Sequence, residues 1–177
     1  MTDYIYPVSV LSTTIGHQRD EVITMPVTAH DVAQYVLQKT GRIQAIKLQK
    51  LCYLADGWHL TWLNDPLFPN TIKAWKYGPV ITDLYRFHKG EIYIDSWDFG
   101  EADAGKLNDN QKLIIDAVIE KNQYKDGFDL VRETHTHQIW KDKFENAPDN
   151  LRGHQELTVE DIRKQFDVLD QELIEQS

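Results

Sequence analysis

Apolar residues recur along this chain at spacings of three and four in several separate stretches, the period of helices that each lay one face on a core. Thr28 precedes the first, with Asp31 placed near the positive end of the helix. Val32, Tyr35 and Val36 share a face before Gly41, which turns left-handed at low cost. Residues 44–63 are apolar on two sides, with Leu48, Leu51, Cys52 and Ala55 on one stripe and Leu51, Leu54, Trp58 and Trp62 on another. A helix of that kind is usually central. Its polar positions Lys47, Gln49, Lys50, Asp56 and His59 are expected to form a solvated stripe at its margin.

Further on, residues 81–88 read as a short helix closed by Gly90, and Asn108 with Gln111 forms a capping box ahead of Leu113, Ile114, Ala117 and Val118. That helix is expected to stop near residues 124–127. Another short helix spans residues 129–140 with Leu130, Val131 and Thr134. The last is capped by Thr158 and Asp161 and carries Val159, Ile162, Phe166, Leu169 and Leu173. Between them, Pro66 breaks the helical run. Residues 73–77 alternate as a strand, Gly78-Pro79 predicts a turn, and Ile92, Tyr93 and Ile94 suit a returning partner strand. The fold class is therefore mainly α (α+β), about six helices with a small antiparallel hairpin within residues 73–94. Residues 96–106 are acidic and aperiodic, the pattern of a mobile loop.

Residues 27–177 form one expected domain, because 177 residues bury one sizeable core more readily than two. Residues 1–26 are set apart as an N-terminal arm. Tyr4, Ile5, Tyr6, Val8, Val10 and Leu11 alternate partially, which suits pairing with a sheet edge, lying across a partner, or packing on the arm's own domain. The apolar stripes can all be used inside one core, so they leave the oligomeric state open.

Charge narrows the partners. With 28 acidic against 19 basic residues the formal charge is −9, a field that repels phosphate backbones and disfavours nucleic acid. Cys52 has no second cysteine to pair with, no apolar run is long enough to cross a bilayer, and the N-terminus lacks the pattern of a secretory signal. A cytoplasmic protein without membrane contact is expected.

Chemistry is sparse. His135 and His137 are the tightest histidine pair, but residues two apart on a helix diverge by about 200°, and a structural zinc site needs four ligands. Cys52 and His59 would lie about 10 Å apart along one helix. Asp56 and His59, three apart, suit a local hydrogen bond. No nucleophile elbow, phosphate loop or dinucleotide fingerprint occurs. The expectation is no catalytic residue, no metal and no cofactor.

A more specific signal lies in residues 46–80. LQKL at residues 48–51, Tyr53, PLF at residues 66–68 and AWKYGPV at residues 74–80 resemble the Panacea antitoxin domain, also described as SocA-like or phage-associated GepA-like. Leu130, Thr134-His135 and Trp140 resemble its later positions, although Ile139 stands where the family often has proline. The resemblance covers residues 28–169 and implies a non-enzymatic antitoxin that neutralises a cognate protein toxin by direct contact, in one branch by delivering it to a protease.

A neutraliser needs rigid aromatic anchors. Trp75, Tyr77 and Tyr85, on or beside Gly78-Pro79, are the candidates, with burial under the helices as the competing reading. Lys50 is placed behind this turn, donating to a backbone carbonyl. The alternatives are a helix-turn-helix regulator of its own operon, opposed by the acidic balance, and a hydrolase or transferase using the histidines, for which no assembled site is visible.

Overall fold

The computed structural model describes residues 25–98 and 100–176. The arm expected at residues 1–26 lies outside the described residues except for its last two.

Among the described residues, seven helices and four short strands run in the order α1 (Ala29–Thr40), β1 (Ile43–Gln44), α2 (Ala45–Leu63), β2 (Ile72–Trp75), β3 (Gly78–Ile81), α3 (Thr82–His88), β4 (Tyr93–Ile94), α4 (Asp109–Lys121), α5 (Gly127–Thr134), α6 (Gln138–Trp140) and α7 (Val159–Glu175). The α+β class and the dominance of helix are as the sequence predicts. Side-chain caps fix the helix starts. The Asp31 carboxylate accepts the Thr28 N–H at 2.7 Å, Asn108 and Gln111 cap α4 reciprocally, and Thr158 and Asp161 do the same for α7.

Helix α2 is the axis. It packs against α1, α4, α5, α7 and β3, and every residue from Leu48 to Leu60 is buried. Gly57 lets α7 approach, because a Cβ there would lie 2.2 Å from the Phe166 ring. Phe166 also meets Trp58 and Tyr53 edge to face, with centroids 5.3 and 5.5 Å apart.

Several expectations fail locally. The polar residues of α2 are not a solvated margin: Gln49, Lys50, Asp56 and His59 are all buried. Each is held by backbone of the segment that follows the helix, which removes the cost of burying a polar group. Asp56 and His59 do not pair with each other. Asp56 accepts the Leu67 N–H at 2.9 Å, and His59 Nδ1 donates to the Asp65 carbonyl at 2.6 Å.

The strand pairing also differs. β2 pairs with β3, so Gly78 and Pro79 begin a strand and the turn is Lys76-Tyr77. β4 pairs with β1 through Ile43 and Ile94, not with β2. The outer edge of β2 is covered by residues 155–157, which exchange backbone hydrogen bonds with Ile72 and Ala74. The acidic stretch at residues 96–106 is docked. Its Trp97 is buried, and Asp31 and Gln34 of α1 accept the backbone N–H groups of Asp103 and Ala104, both at 2.7 Å. The helix expected over residues 129–140 breaks at His135–His137 into α5 and α6.

Candidate partner-binding site

The β2–β3 turn is held by side chains from elements far from it in sequence. Lys76 and Tyr77 keep negative φ while Gly78 takes φ 91°, the arrangement of a two-residue turn followed by a glycine bulge. A Cβ on Gly78 would sit 2.7 Å from Thr134 Oγ1 and 3.1 Å from Lys50 Nζ. Glycine is thus required by both conformation and space.

Four side chains hold the turn from beneath. Lys50, 0% exposed, donates from Nζ to the Pro79 carbonyl at 2.8 Å. Gln49 grips Ile81 twice, its Oε1 accepting the N–H at 2.9 Å and its Nε2 donating to the carbonyl at 3.2 Å. Trp140 donates from its indole to the Trp75 carbonyl at 2.8 Å. His135 stacks on Trp140 with ring centroids 3.8 Å apart, next to the Lys76 backbone. Trp140 in turn stacks on Phe144 at 5.4 Å.

The electrostatics follow from burial. Desolvation pushes Lys50 down to about 7 and His137 down to about 4. His135 is also lowered, first by burial and then by the nearby Lys50. Burial raises the Cys52 thiol, which marks it as inert packing. His135 and His137 diverge, His135 onto Trp140 and His137 onto the Tyr53 hydroxyl at 3.1 Å. The described residues contain no group of three or more His, Cys, Asp or Glu placed to hold a metal. None of their helices is long and apolar enough to cross a membrane.

The six residues singled out from sequence separate by position. Lys50, Gly78 and Pro79 are buried, whereas Trp75 and Tyr85 are half-buried and packed edge to face at 4.8 Å. They floor a hollow of about 360 Å³ rimmed by Lys73, Asp83 and Arg86. Tyr77 is 50% exposed. Beside it stands Phe128 of α5, 51% exposed and edge-on at 6.4 Å. Phe128 and Gln49 are missed by sequence reasoning: Phe128 lies 51 positions from Tyr77, and a glutamine in an apolar helix carries no periodic signal.

The side chains that touch the turn come from α2, from the end of α5 and from α6, and all of them fall within one stretch. The family model for antitoxin SocA-like proteins, the Panacea domain, matches residues 48–141. The chain belongs to the Panacea-domain antitoxin family. Its matched region starts at Leu48 and ends at Lys141, so it contains Gln49, Lys50, Thr134, His135 and Trp140 together with the turn that they hold. The Panacea match excludes α1 and α7. A curated relative, the chaperone protein dnaK3 of Thermosynechococcus vestitus, is 26% identical over 142 residues, covering 80% of this chain. The chain spans 21% of that relative's length. No solved structure matches.

Proposed function

We propose that this Panacea protein is the antitoxin of a toxin–antitoxin pair, acting in the cytoplasm by binding a cognate protein toxin, with no catalytic step of its own. The observation that carries the reading is the buttressed turn. Scaffold residues that the family match encloses are committed to holding a six-residue segment, Trp75 to Val80, of which Lys76 and Tyr77 face solvent. Rigid presentation of an aromatic side chain lowers the entropy lost on binding, and aromatic anchors dominate interface energies. Tyr77 and Phe128 form the exposed centre of the surface, and the Trp75–Tyr85 hollow forms its flank.

Co-expression with the product of the neighbouring reading frame tests this. The expected result is rescue of growth and a co-purified complex, with both lost in the Tyr77→Ala/Phe128→Ala double variant. Failure of the unmodified protein to rescue or to co-purify overturns the reading. Occlusion of the toxin and its delivery to a protease share this first contact. Repeating the rescue in a protease-deleted host separates them, because only delivery requires the protease.

A further inference from the structure

The hollow of about 360 Å³ beside the β2–β3 turn draws one wall from β2 and the other from α3. Burial alternates along β2, with Ile72 and Ala74 turned into the core. Lys73 and Trp75 therefore share the opposite face, and both line the hollow. Tyr85 and Arg86 line it from α3. Trp75 and Tyr85 are half-buried and bring ring surface, while Lys73 and Arg86 bring two positive charges to a chain whose formal charge is −9.

The carboxylate of the hollow is already engaged. Asp83 accepts from Asn70 Nδ2 at 2.7 Å on one oxygen and from the Arg86 guanidinium at 3.2 Å on the other. Asn70 is itself fixed, its Oδ1 accepting the Ala29 N–H at 2.8 Å. Arg86 and Asp83 cancel, which leaves Lys73 as the uncompensated charge. Glu156 lies opposite Lys73 in the edge bridge, but it does not line the hollow, and no ion pair joins the two among the described residues. The Trp75 indole N–H likewise has no acceptor among the described residues. It is open to solvent: the buried side-chain atoms without a partner among those residues are Asn122 Oδ1 and His135 Nε2, and neither residue lines the hollow.

The charge pattern selects among ligands. A cation would meet the Lys73 ammonium and find the Asp83 carboxylate occupied. A hydrocarbon would cover the ammonium and the indole N–H without pairing either, at the cost of their hydration. A phosphomonoester brings close to two negative charges against one uncompensated cation, with Asp83 beside it. A carboxylate matches the single charge and forms a charge-assisted hydrogen bond with an ammonium. We propose that this hollow receives the carboxylate of an aspartate or glutamate presented by the bound partner protein, with Lys73 pairing to it and Trp75 and Tyr85 packing on its stem. For its occupant the inference rests on the toxin-binding reading. Trp75 is two positions from Tyr77, so a partner seated on Tyr77 borders the hollow.

The chemistry of the hollow is tested without a toxin. The full-length ¹⁵N-labelled protein is titrated with the peptide acetyl-Leu-Glu-Leu-amide, and NMR follows the Trp75 indole N–H, identified by its loss in Trp75→Phe. The expected result is a saturable shift of that resonance and of the Lys73, Tyr85 and Arg86 backbone amides at millimolar peptide. Acetyl-Leu-Gln-Leu-amide has the same shape without the charge and should bind about fivefold more weakly. Lys73→Gln should lower the glutamate peptide to the level of the glutamine peptide. The assignment is overturned by the absence of localised shifts, by equal binding of the two peptides, or by tighter binding of acetyl-Leu-phosphoserine-Leu-amide, which would make this a phosphate site. These three outcomes need no variant, so they decide the matter even if Lys73→Gln does not fold. If they go against the hollow while the unmodified protein still rescues growth, the toxin-binding reading stands alone. A protein that binds the glutamate peptide but rescues nothing loses that reading and keeps the carboxylate site.

Discussion

At the scale of single residues, Gly78 and Tyr77 are neighbours with opposite duties. Gly78→Ala meets two penalties at once, a left-handed φ of 91° and a Cβ 2.7 Å from Thr134 Oγ1. The strained φ and the steric contact together should cost roughly 2–4 kcal/mol, read as a lower denaturation midpoint with an unchanged m-value. Tyr77→Ala removes a half-exposed ring whose recorded contacts are Phe128 and the Lys76 ammonium. Its stability should stay within about 0.5 kcal/mol. Affinity for the proposed toxin partner should fall by about 2 kcal/mol, close to thirtyfold, in a calorimetric titration. The special status of Gly78 was legible in the sequence, since a Gly-Pro pair in an alternating run demands explanation. The duty of Lys50 was legible only through the family word, because periodicity assigns a polar residue on a helix to water.

At the scale of elements, α2 shows why that assignment failed. Its buried polar residues each hold backbone in residues 65–81, so the helix carries a second pattern, a row of clamps, laid over its apolar one. Gln49 illustrates the energetics. Gln49→Leu has suitable size and apolarity, yet it orphans the N–H and carbonyl of Ile81 and the ring of His88, which lies 2.9 Å from Nε2. Unpaired buried groups cost 1–3 kcal/mol each before relaxation, so a net loss of roughly 2–3 kcal/mol is expected by denaturant unfolding. Hydrogen exchange should accelerate first in β3. Helix starts were readable because a capping box is local, spanning four residues at Asn108 and Thr158. The pairing of β4 with β1 was not, since a two-residue strand has no pattern of its own and its partner lies about fifty residues away. Residues 96–106 were misjudged for the same reason. Their anchors, Asp31 and Gln34, sit on α1.

At the scale of the whole molecule, burial of Lys50 predicts an unusual dependence of stability on pH. Burial lowers its pKa to about 7 from the ordinary lysine value of 10.5, so between those values the unfolded chain binds the extra proton. Stability must then rise with pH from about 7 upward, and the penalty for the buried ammonium is fully present below 7. At its lower end the rise is partly offset by buried Asp56, whose pKa is raised to about 7 by burial and which costs stability as it ionises, and the window ends near pH 9, the ordinary value of the Cys52 thiol. That thiol is raised in the fold and works in the opposite sense above it. Between pH 7 and pH 9 the gain should be on the order of 2 kcal/mol, a rise of several degrees in thermal midpoint. Lys50→Met fills similar space without a charge and loses the bond to the Pro79 carbonyl. It should flatten this slope, exceed the unmodified protein in stability at pH 6 and converge with it at pH 9. A variant more stable at pH 6 that neutralises the proposed toxin less well would show that the buried lysine is kept for the shape of the turn. A slope unchanged in Lys50→Met would place the proton linkage elsewhere.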